Sequence, residues 1–139
     1  MAVKAMGWAH SFPVSGGVRA GRQWTRTQLE SLPWTADEPE TVDAVVLTVS
    51  ELLTNAHVHA HSDAHLVLTW DGDCLHVNVH DDDPTLPRQR DPDAGEVSGR
   101  GVGIVRALAD EWGMRCQRHG KTVTACFRPA GAQQNAGNG

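Results

Sequence analysis

Apolar residues recur along this chain with two different periods. Val42, Val45, Val46, Val49, Leu52, Leu53 and Ala56 return at helical spacing, which predicts a long amphipathic helix. Asp37 is its expected N-cap, and Glu38 and Glu40 fall in the first turn, where the helix dipole favours acids. Residues 16–32 predict an earlier helix, with Val18, Trp24 and Leu29 among its apolar positions. The period then drops to two. Leu66, Leu68 and Trp70 alternate with His65, Val67 and Thr69, and Asp71-Gly72 marks a turn. Leu75, Val77 and Val79 return the strand, alternating with Cys74, His76, Asn78 and His80. Gly101 to Asp110 reads as a short helix. A last hairpin runs from Trp112 to Arg118, turns at His119-Gly120 and returns from Thr122 to Phe127.

The order helix, helix, hairpin, loop, helix, hairpin predicts an α/β (α+β) two-layer sandwich. Its helices lie on one face of a largely antiparallel mixed sheet. Two stretches fall outside this rhythm. Pro84 to Ser98 holds Pro84, Pro87, Pro92 and Gly95, and excludes both a helix interior and a central strand. A loop of about 15 residues in a small domain is often a lid. Gly131 to Gly139 reads as a frayed tail. The expected organisation is an N-terminal segment over 1–11, one domain over 12–128 and a flexible tail over 129–139.

Composition narrows the function classes. The 139 residues are 40% hydrophobic and 21% charged, as in a globular protein. The formal net charge of −5 argues against direct nucleic-acid binding, which rests on a basic surface. No apolar run reaches the ~20 residues of a membrane span, and Met1 to His10 lacks a signal-peptide core. A cytoplasmic protein with no membrane association is expected. Cys74, Cys116 and Cys126 form no C-x-x-C pair, so neither a disulfide scaffold nor a cysteine zinc site is expected.

Three places break the hydrophobic pattern. Glu51, Asn55 and His59 lie four residues apart, opposite the apolar stripe of the second helix. A carboxylate there can serve as a general base, and an amide oxygen suits Mg²⁺; an ordinary solvated face gives the same spacing. Asp81 shares the parity of Leu75, Val77 and Val79, so it points to the core, unless the strand has already ended in an acidic turn. A buried carboxylate needs a partner, such as the amino group of adenine. Gly99-Arg100-Gly101-Val102-Gly103 leads into a helix, where free N–H groups can hold phosphate. No Lys-Ser/Thr follows, so it is not a P-loop.

Taken in order, these features resemble the GHKL (Bergerat-fold) ATPases, in particular the small bacterial anti-sigma-factor serine kinases. The likeness runs from about Phe12 to Phe127. It is most specific in Ser50-Glu51-Leu52-Leu53-Thr54-Asn55-Ala56, which is similar to that family's N box. The resemblance implies Glu51 as general base, Asn55 as Mg²⁺ ligand and His59 as a phosphate-side neighbour. It implies Asp81 as the acid that reads adenine, and Gly99, Gly101 and Gly103, with Arg100 and Val102, as the phosphate-holding loop. Gly120-Lys121-Thr122 resembles the final strand motif and implies Thr122 near the adenine. One departure is plain: the wider superfamily continues D-x-G-x-G, whereas here Asp82, Asp83, Pro84 and Thr85 follow Asp81.

The function so implied is an ATP- and Mg²⁺-binding regulatory serine protein kinase. It would phosphorylate an anti-anti-sigma protein and hold a sigma factor inactive, as a homodimer joined near Trp8 to Val14. The alternative is a non-catalytic regulator that keeps the fold and captures its partner with weak ATP binding or none. A free-standing histidine-kinase catalytic domain is the third reading. His57 and His61 have metal-compatible i,i+4 spacing, but helix-terminal polar residues are the expected role of the cluster from His57 to His65.

Overall fold

The computed structural model describes residues 6–61, 63–83 and 103–130. Five strands form one sheet in the order β1-β2-β3-β5-β4: β1 (Met6–Phe12), β2 (Ala64–Trp70), β3 (Leu75–Asp81), β4 (Glu111–Gln117) and β5 (Gly120–Phe127). Every ladder is antiparallel. Helices α1 (Gly17–Leu29) and α2 (Pro39–Ala60) complete the two-layer sandwich expected above. A 3-10 turn, Pro33–Asp37, joins them, and residues 103–108 form a short helix before β4. β1, all but Phe12 of which falls in the segment set apart above as 1–11, pairs along its whole length with β2.

Strand parity decides which residues enter the core. Leu66 and Leu68 of β2, Leu75, Val77 and Val79 of β3, and Ala125 and Phe127 of β5 are all buried on one face. On α2, Val45, Val46, Val49, Leu52, Leu53 and Ala56 are buried as the helical period predicts. A buried aliphatic side chain contributes roughly 1.5–3 kcal/mol, so this layer carries most of the stability. Thr48, Ser50 and His57 of α2 are buried as well, because α1 closes over the helix from a second side.

The α1–α2 contact rests on small residues. Gly17, Gly21, Thr25 and Leu29 recur every fourth position and are the buried positions of α1, while Val18 and Trp24 are only partly buried. A Cβ at Gly21 would overlap Leu53 Cδ1, so glycine sets the close approach of the two helices. Arg22 Nη1 donates to Ser50 Oγ at 3.2 Å across the same seam.

Two boundaries differ from expectation. The residue preceding α2 is Glu38, not Asp37, because Asp37 belongs to the 3-10 turn and Pro39 takes the first helical position, where its missing N–H costs nothing. The second turn comprises Arg118 and His119, with Gln117 opposite Gly120. Gly120 already belongs to β5, where a side chain would overlap the Asp81 carbonyl oxygen.

Candidate functional site

Asp81 ends β3 on the core face, opposite Lys121 of β5. Both side chains are about 95% buried, and Lys121 Nζ lies 2.9 Å from Asp81 Oδ2. Asp81 Oδ1 accepts the Asp83 N–H at 2.9 Å, and Lys121 Nζ also approaches the Asp83 carbonyl at 3.5 Å. The buried carboxylate predicted by parity is therefore present, and it has a cationic partner that sequence reasoning missed. Lysine is almost never buried unless paired, and a lysine just after a turn glycine carries no mark of burial. Register is what places it: Asp81 and Lys121 face each other only because β5 starts at Gly120.

Glu51 and Asn55 stand one turn apart on α2 and are both half-buried. They occupy the border between the buried stripe and the surface rather than a fully solvated face. Their oxygens are the donor types that Mg²⁺ prefers. His59 belongs to the last turn of α2. Gly99, Arg100, Gly101 and Val102 lie outside the described residues. Gly103 is exposed at the start of the short helix over 103–108.

Thr122 faces the other way. It pairs with His80 on the outer sheet face, and His80 Nδ1 lies 3.0 Å from Thr122 Oγ1. Ser11, His65, His80, Thr122 and Arg115 stand opposite one another across all five strands, a polar row on the face turned away from the helices. The structure thus brings Lys121, not Thr122, beside Asp81. An open hollow of about 600 Å³ follows this outer face, lined among others by His76, Asn78, Arg115, Thr122 and Thr124. It includes none of Glu51, Asn55 or Asp81, so it is a feature distinct from the nucleotide-type residues.

The histidines of the 57–65 segment disperse. His57 is buried, with Nε2 3.1 Å from the Phe12 carbonyl, tying α2 to the end of β1. His61 ends the helix with φ 54°, and His65 pairs with Ser11 Oγ on the outer face at 2.6 Å. None of them joins a metal-compatible group among the described residues. Cys74 and Cys126 are buried and free. Burial pushes the Cys74 thiol up to about 12, helped by its contacts with Cys126 and Asp73, and burial also raises Cys126. Nucleophilic catalysis needs the thiolate, so neither is a candidate nucleophile.

A family model for the histidine kinase-like ATPase domain matches residues 18–127, and the chain belongs to that family. In fold it is similar to a chain of the SiaB–SiaC complex from Pseudomonas aeruginosa, with a TM-score of 0.62 and 11% sequence identity. That likeness covers 86% of this chain and 88% of the other. No curated protein matches the sequence. Among the described residues, no helix is long and apolar enough to cross a membrane.

Proposed function

We propose that this domain is an ATP- and Mg²⁺-binding regulatory serine protein kinase of the anti-sigma type. The observation that supports it is the pairing of two features on one sandwich. Half-buried Glu51 and Asn55 stand one turn apart on α2, and a buried carboxylate, Asp81, ends the strand β3 against which α2 packs. The donor and acceptor types of these residues suit a nucleotide. Asp81 supplies an acceptor for an adenine amino group, and Asn55 an oxygen for Mg²⁺. Glu51 accepts the proton of the incoming hydroxyl, while Gly99, Gly101 and Gly103, with Arg100, Val102 and His59, hold the phosphate side. ATP supplies the transferable phosphoryl group, and the protein's work is to position it and offset its charge. Thr122 enters this reading only through the outer face.

The partners that accompany this reading are an anti-anti-sigma protein as substrate and a sigma factor as the regulated target. The fold's likeness to a chain from a two-protein complex is consistent with partner binding. β1 is an edge strand whose second side meets no strand among the described residues, which suits a homodimer contact. A cytoplasmic location follows from the same reading.

A second reading, a partner-binding regulator with little or no ATP binding, is favoured by the Asp81–Lys121 ion pair. Lys121 already occupies one oxygen of the carboxylate that adenine would need, and the Asp83 N–H the other. Two variants test the kinase reading. Glu51→Ala should retain nucleotide and lose phosphate transfer to a partner Ser or Thr, whereas Asp81→Asn should lose nucleotide. Transfer surviving in the first variant would remove Glu51 from the mechanism. Unchanged ATP affinity in the second would remove Asp81.

A further inference from the structure

The end of β3 opposite Asp81 carries a second group of polar side chains. Cys74 closes the loop between β2 and β3, His76 is the second residue of β3, and Cys126 stands opposite His76 on β5. One donor atom from each of Cys74, His76 and Cys126 lies within 4.8 Å of the other two. The two thiols are buried and His76 is about one-third exposed, which gives an ion a path inward.

The loop holds these donors in place. Asp71 Oδ1 accepts the N–H groups of Asp73 at 2.9 Å and Cys74 at 2.7 Å, which fixes the backbone that carries the first thiol. Asp71 Oδ2 lies 2.9 Å from His76 Nε2 and fixes the imidazole. A carboxylate on the far nitrogen of a ligating histidine is the usual outer support of a metal site. Asp73 Oδ2, 3.4 Å from Cys74 Sγ, is within reach as a fourth donor. Asp110 and Glu111 both engage Arg128, whose guanidinium also lies 4.0 Å from Asp73 Oδ2.

We infer that Cys74, His76 and Cys126 bind a divalent zinc ion, with Asp73 or a water molecule completing a tetrahedron. Two sulfurs and one imidazole nitrogen are a borderline-soft donor set, which suits zinc over the oxygen-seeking Mg²⁺ or Ca²⁺. His76 and Asp81 are five residues apart on one strand, roughly 17 Å at ~3.4 Å per residue, so the site stands apart from the residues proposed for nucleotide. It staples the β2–β3 loop to the end of β5. This inference departs from the expectation that the cysteines form no zinc site, for a simple reason. C-x-x-C spacing detects ligands from one turn, whereas one of these thiols comes from the β2–β3 loop and the other from β5, 52 positions downstream.

The test uses the full untagged chain, reduced, stripped with chelator and then given zinc chloride alone. One zinc per chain should survive dialysis, and cobalt(II) in its place should give the near-ultraviolet band of thiolate-to-metal charge transfer. Cys74→Ser, Cys126→Ser and His76→Gln should each lose stoichiometric zinc, while Cys116→Ser, at an exposed cysteine, should keep it. Asp71→Asn should weaken zinc about 10- to 100-fold. Circular dichroism of each stripped variant confirms that the fold is intact. No retained zinc in the wild-type chain would overturn the inference. So would zinc kept by the Cys74→Ser/Cys126→Ser double variant, or a Cys74–Cys126 disulfide persisting in the untreated chain.

Discussion

The two ends of β3 place polar groups by opposite means. At the Asp81 end the carboxylate points into the core and is met by the one amine that register brings opposite it. At the Cys74 end the polar donors point away from the helices, and a loop carboxylate gathers them. The first arrangement is expensive to break, because an unpaired buried charge remains. The second rests on groups that are stable as neutral species and can wait for a ligand. Parity alone separates the two: His76, Asn78 and His80 lie on one face, and Val77, Val79 and Asp81 on the other.

The largest effect expected from this contrast is at the buried pair. Lys121→Ala should destabilise the chain by about 3–5 kcal/mol, since it strands a buried carboxylate. The double variant Lys121→Met/Asp81→Leu should recover most of that loss in urea denaturation, because it removes both charges. Equal instability in the single and double variants would mean that packing, not charge, holds this end together. Next is the helix seam. Gly21→Ala should cost about 1–3 kcal/mol by overpacking against Leu53, and Leu53→Ala should relieve part of the strain in combination. Simple additivity of the two would contradict the contact.

Smaller effects are expected at Cys126 and on the surface. Without zinc, Cys126→Ser should shift stability by no more than about 1–3 kcal/mol, as expected for a buried atom that gains polarity. Arg26→Ala removes an exposed ion pair with Asp43, 3.0 Å long, and should change stability by less than about 1 kcal/mol. A larger loss at Arg26 would show that the α1–α2 seam depends on surface charge.

Much of this was legible in the sequence, for physical reasons that also set its limits. The α2 stripe from Val42 to Ala56 and the alternation in β2 and β3 are strong periods, and both formed. Asp81 was legible as a buried acid because it continues the parity of Val77 and Val79. Its partner was not, because Lys121 lies 40 positions downstream and meets it only through the β3–β5 ladder. The same ladder turned Thr122 to the outer face and brought Cys126 to His76. The turn at 118–119 was shifted by one residue because glycine reads as a turn former. Here it instead serves close packing within β5. Local pattern predicts elements, and pairings between distant strands decide which chemistry shares a site.

The most direct test of the proposed function is calorimetric titration of ATP into the untagged chain, with and without Mg²⁺, repeated on Asn55→Ala. The account predicts micromolar binding that depends on Mg²⁺ and is lost in the variant. No binding at millimolar ATP would contradict it and leave the Asp81–Lys121 pair as the mark of a regulator that works without nucleotide.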